Sequence, residues 1–232
     1  MQQLTALFLL LLSALGLAAE RLPFTEVNAN NLTTETQKTA GSDNALDLVW
    51  RIPAEFWQVA LANNAAVTPA QIDDIVDTLR PYSLLAVVQA DISTFGAFNF
   101  FDEVKVSSGL RVVYTPEHGS SVNIPLDELI DPDVTLLLNQ MSPVLTAAMG
   151  NLGENFFFFP LPDMDDTGQR IISPYERGSL AITLTARDGI HRPPYLIEFP
   201  LDALHQPRLC PNGKPAHVSW AYCPWSGKKL KR

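Results

Sequence analysis

Four consecutive phenylalanines, residues 156–159, constrain this chain more than any other stretch. Successive side chains of a strand point to opposite faces, so an unbroken aromatic run places rings on both. A sheet that holds such a run must be covered on each side. Residues 84–92 (LLAVVQADI) read as another buried strand.

The clearest helical signal lies upstream. Thr68-Pro69-Ala70-Gln71 is a capping box with proline at the first helical position. Ile72, Ile75, Val76 and Leu79 follow at i, i+3, i+4 and i+7, and Pro81 stops the helix. Asp73, Asp74 and Asp77 form its solvated face. A short helix is expected over residues 53–62, carrying Phe56, Trp57 and Leu61. A third opens at Asp131-Pro132 and ends at Gly150, with Ser142-Pro143 marking a kink or a second cap.

Strands are expected at residues 104–106 and 110–114, joined by a turn at Ser107-Ser108-Gly109, and again at 179–186 and 195–199. Residues 95–101 (FGAFNFF) read as core, with Gly96 at a bulge or close backbone approach. Helices and strands are segregated rather than alternating. That predicts an α+β fold, a largely antiparallel sheet packed with about three helices, plus a small C-terminal appendage.

Residues 4–19 carry no charge and fall short of the roughly 20 apolar residues that span a bilayer. Gly16 and Ala18 fit a small-x-small cleavage rule, so residues 1–19 read as a cleaved signal peptide of an exported protein, periplasmic or extracellular. Residues 20–45 are polar, rich in Thr and Asn and without period, and read as a flexible leader. Residues 46–204 form the expected α+β domain, and 205–232 the appendage.

Net charge is −9, which argues against a general nucleic-acid binder. The sum hides a division. Residues 206–232 hold six bases and no acid, while the preceding chain holds all 25 acids and 10 bases. A +6 tail beside a −15 body suits either docking on that body or presentation to an anionic surface. There is no Walker loop, G-x-G-x-x-G, H-E-x-x-H or G-x-S-x-G, so no cofactor is expected and no catalytic residue is nominated. Asp163, Asp165 and Thr167-Gly168 open like a calcium loop, but Pro174 stands where the bidentate glutamate belongs; the stretch reads as a turn.

The last 25 or so residues carry a resemblance. Tyr222-Cys223-Pro224-Trp225-Ser226-Gly227-Lys228-Lys229-Leu230 resembles the closing knuckle of a zinc ribbon, and Cys210-Pro211-Asn212-Gly213 resembles the first. Gly213 and Ser226 occupy the positions of each knuckle's second cysteine. Tetrahedral zinc with Zn–S of ~2.3 Å holds its sulfurs about 3.8 Å apart, so the resemblance implies that the remaining pair, Cys210 and Cys223, forms a disulfide in the metal's place. Export permits that bond. The alternative is a Cys2His2 zinc site made of His205, Cys210, His217 and Cys223.

Trp220, Tyr222 and Trp225 either stack on a sugar ring or pack on a partner, or cover the appendage itself. The sequence therefore points to a non-enzymatic binding or interaction module with a protein, carbohydrate or anionic-surface partner. The rival reading is a secreted hydrolase that uses carboxylates, whose pairing is spatial and not visible in one sequence.

Overall fold

Strand β3 (Tyr82–Ile92) is the spine of the molecule, and every residue from 83 to 90 along it is buried. A computed structural model describes residues 19–42, 44–62, 64–126 and 130–230. Along one edge β3 pairs with β2 (Ala45–Ile52), which in turn pairs with β1 (Gln37–Ser42). The other edge is shared by β7 (Phe157–Pro162) and the short β4 (Phe98–Phe100). A second sheet runs in the order β6 (Val122–Ile124), β5 (Arg111–Pro116), β8 (Gly178–Thr183), β9 (Tyr195–Phe199). Every pairing in both sheets is antiparallel.

Alternation along β2 and β3 sorts the core into two slabs. Leu48, Trp50 and Ile52 join Leu84, Ala86 and Val88 beneath the helices. There they meet Trp57 of α2 (Ala54–Leu61), Val76 and Leu79 of α3 (Pro69–Leu79) and Val134 of α5 (Pro132–Met149). Val49, Leu85 and Val87 face the other way, against Val112, Leu180, Ile182 and Ile197 of the second sheet. The layers are thus helices, sheet, sheet. The phenylalanine run divides as its alternation demands, with Phe156 and Phe158 on the helix side and Phe157 and Phe159 between the sheets.

The α+β class holds, and the expected capping box is present, Thr68 Oγ1 accepting from Gln71 N–H at 3.3 Å. Three expectations are corrected. Residues 104–106 are not a strand but lie in α4 (Glu103–Gly109), because Asp102 accepts from Lys105 N–H at 2.8 Å and caps a helix there. Residues 20–45 are not a structureless leader. Asn28 caps α1 (Ala29–Thr36), Leu32 is fully buried, and β1 pairs with β2 along its whole length. One buried leucine and an edge strand need few apolar residues, so composition gave no sign of them. Finally, Gly96 sits at a turn tip (φ +79) whose N–H donates to Ser93 O at 2.8 Å, leaving Phe95 96% exposed and Phe98 half-exposed. The expected export signal lies outside the described residues, apart from Ala19.

Between the sheets sits a charge that no pattern announced. Arg51, on the sheet-facing side of β2, is fully buried. Its Nη2 donates to Ile172 O at 2.8 Å and to Ser83 Oγ at 3.1 Å, with Asp163 Oδ2 at 3.8 Å. Asp163 accepts from Ser83 Oγ (2.5 Å), Arg170 Nε (3.1 Å) and Ile172 N–H (2.6 Å). Arg170 continues to Glu55 Oε1 at 2.5 Å. Burial pulls the Arg51 guanidinium down to about 10, with Asp163 opposing. Removing one partner of such a set strands the other charge in a dry interface. Asp163→Ala is therefore expected to cost about 3–5 kcal/mol, read from the urea midpoint, whereas Asp163→Asn, which keeps acceptor and shape, costs less.

Candidate functional site

The C-terminal segment is built on two similar cysteine turns, the second one residue longer than the first. Cys210 N–H donates to Lys214 O at 2.8 Å, and Gly213 N–H to Cys210 O at 2.9 Å. Cys223 N–H likewise donates to Lys228 O at 2.8 Å, and Gly227 N–H to Cys223 O at 2.8 Å. Gly213 (φ +79) and Gly227 (φ +64) take a left-handed conformation that a side chain would oppose. The two cysteines are joined as a disulfide, with Cα atoms 5.6 Å apart. Around it Ala216 and Leu230 complete a very small core. Leu230 ties the end of the described chain into that core.

The segment docks on the body through its backbone. Val218 N–H donates to Asp202 Oδ1 at 2.6 Å, and Arg177, itself paired with Glu117 at 3.0 Å, donates to Ser219 O at 2.6 Å. Its own lysines take no part. Lys214, Lys228 and Lys229 are exposed and form no ion pair among the described residues. The segment is docked on the body, and these three lysines are left exposed on it.

Trp220, Tyr222 and Trp225 are 38%, 59% and 50% exposed. They are not needed to cover the appendage, whose core is cysteine, alanine and leucine. Trp220 and Trp225 meet edge to face, centroids 5.9 Å apart at 71°, and Lys214 Nζ lies 5.0 Å from the centre of the Trp225 ring. The alternative zinc ligands do not converge. Cys210 and Cys223 bond each other, buried His205 is held through Nδ1 at Leu201 O (3.0 Å), and His217 Nδ1 lies 2.7 Å from Ser219 Oγ. Among the described residues no three His, Cys, Asp or Glu side chains are grouped to hold a metal ion.

A second feature escaped the sequence. Glu35 of α1 and Asp202 line a groove of about 450 Å³ together with Glu26 and His205. Burial pushes the Glu35 carboxyl up to about 7; Ala203 N–H, donating at 2.9 Å, opposes this, and Asp202 adds to it. The two acids are 167 residues apart in the chain, and no local motif joins them.

Two outcomes follow from this geometry. Replacing both cysteines by serine is expected to destabilise the segment by about 3 kcal/mol, the chain-entropy value for a loop of roughly this length. Amide exchange at residues 208–230 reads the loss while the sheets stay protected. For Glu35 the folded protein retains its proton longer than the unfolded chain does. Stability is therefore fullest below about pH 4.5 and falls as pH rises towards 7. Glu35→Gln is expected to flatten that fall in thermal midpoint. No family model, curated protein or solved structure matches this chain, so its surface chemistry is the ground on which function is read.

Proposed function

We propose that the protein is an exported binding module that holds an anionic polysaccharide on its C-terminal segment. Export rests on the uncharged run at residues 4–19 and on the disulfide, a bond kept in oxidising compartments. No described helix is long and apolar enough to cross a membrane. We read the segment as zinc-ribbon-like with the disulfide standing where a metal would, on the strength of its two similar glycine-bearing cysteine turns.

One observation carries the ligand class: exposed indoles and lysines with no ion pair among the described residues share a single disulfide-closed segment of an otherwise acidic protein. The edge-to-face Trp220–Trp225 pair, each ring partly exposed, forms an aromatic corner against which a sugar ring can stack. Lys214, beside Trp225, and Lys228 and Lys229 on the adjoining turn supply charge for carboxylate or sulfate groups.

Glu35 favours a second reading, a hydrolase in which its proton serves as general acid beside Asp202. Affinity electrophoresis through polygalacturonate and through a neutral glucan separates the outcomes. Retardation is expected only in polygalacturonate, lost at about 0.5 M salt, and weakened about tenfold by Trp225→Ala. Equal retardation in the neutral glucan, or retention only on vesicles of phosphatidylglycerol, overturns the proposal. Chain shortening of polygalacturonate that Glu35→Gln abolishes establishes the hydrolase.

A further inference from the structure

Edges of β-sheets invite additional strands, and folded proteins close them by shortness, proline or charge. Four of the edges here are closed in those ways. Strands β4 and β6 have three residues each. Strand β7 carries Pro160 and Pro162. Strand β9 is entered through Pro193-Pro194 and carries Glu198. Strand β1 is protected least: it has neither shortness nor proline, and Lys38 is its single charge. It offers six residues, QKTAGS, without proline or acid, and among the described residues it pairs with β2 alone.

Beside this edge runs a groove of about 730 Å³, walled on one side by β1 and on the other by residues 192–196 at the start of β9. Helix α1 ends at its margin, where Thr34 joins the lining. Ala40 and Gly41 keep the β1 wall low, while Tyr195 and the half-exposed Leu196 provide apolar contact opposite. The β9 wall is stiffly held. Asp47, fully buried, accepts from Tyr195 Oη at 2.7 Å and from Arg192 Nη1 at 2.6 Å. Both charged residues among the described lining, Lys38 and Arg192, are basic. Arg192 is matched by Asp47 from within, whereas Lys38 forms no ion pair among the described residues.

We infer that this groove docks an extended acidic peptide of a partner protein as a strand added to β1. Main-chain hydrogen bonds to β1 supply the affinity, and alternate side chains divide between the apolar wall and solvent. Proline at residues 193 and 194 removes donors from the facing wall, so the added strand pairs with β1 and not with the entry to β9. Lys38 selects an acidic side chain at the neighbouring position. The site is separate from the aromatic surface and does not depend on polysaccharide binding.

The test uses a fluorescein-labelled eight-residue peptide of alternating valine and glutamate, with fluorescence anisotropy as readout. It is expected to bind about tenfold more tightly than either a valine–lysine or a proline–glutamate peptide of the same length. Lys38→Glu, at a half-buried edge position and with an unchanged thermal midpoint as the check on folding, is expected to weaken it about tenfold, and Ala40→Pro to abolish it. Trp225→Ala leaves it unchanged. Binding is expected to slow amide exchange over residues 37–42. Failure of the acidic peptide to bind, equal binding of the proline–glutamate peptide, or peptide binding without protection of β1 overturns the inference. A dimer that protects β1 in the absence of peptide overturns it in favour of a second copy of this chain.

Discussion

A guanidinium sealed between two sheets sets the terms for the rest of this molecule. Apolar contact is non-directional, and two greasy sheet faces tolerate sliding over one another. Arg51 removes that freedom. Its Nη2 must reach both Ser83 on β3 and the carbonyl of Ile172, while its charge needs Asp163 at the end of β7. Asp163 in turn holds Arg170, and Arg170 holds Glu55 on α2. The ring of Phe199, at the end of β9, lies 5.0 Å from the guanidinium carbon. Helix layer, central sheet and second sheet are thus joined at one buried set of charges. The cost of leaving any member unpaired exceeds that of losing an ordinary apolar contact.

How much of this is legible beforehand depends on how local the cause is. Helix α3 is readable because its start signal, Thr68 to Gln71, and its stripe lie within a dozen residues. The two-faced burial of the phenylalanine run is readable because alternation in a strand leaves no other arrangement. By contrast, Asp163 and Asp165 look like one motif and do two jobs. Asp165 accepts from Thr167 N–H and Gln169 N–H at 2.8 Å each and makes the turn, while Asp163 goes inward to Arg51 and Arg170. The partners that separate them lie on β2 and beyond the turn, out of reach of any spacing rule. Helix α4 shows the same limit on a smaller scale. Val104 and Val106 favour a strand by propensity, yet the cap at Asp102 and the burial of Val106 decide for a helix.

The candidate surface divides along similar lines. The cysteine pair and the three aromatics stand out in a short segment of changed composition. What they do with one another depends on packing: a core small enough to be filled by the cysteines, Ala216 and Leu230 leaves the indoles at its margin, partly exposed and packed on each other. Charge counting could separate a +6 segment from a −15 body but could not say which atoms join them. The body supplies the charged groups, Asp202 and Arg177, and the segment supplies neutral backbone. Lys214, Lys228 and Lys229 therefore stay exposed at the surface of the docked segment.

Composition marked residues 20–45 and 205–232 as separate from the body, and both are held by the same three-residue turn, Asp202–Leu204. Glu35 of α1 accepts from Ala203 N–H, Leu22 N–H donates to Leu204 O at 3.0 Å, and Asp202 accepts from Val218 N–H. Arg21 pairs with His205 through a backbone bridge, and Gln206 N–H donates to Glu20 O at 2.9 Å. The beginning and end of the described chain are thereby stitched together over the second sheet. Polar composition here reflects position at the margin of the core, where few apolar side chains are needed, and not independence from it. Loss of the turn would release the α1 contact and the aromatic segment together, because neither has enough apolar surface to fold without the body.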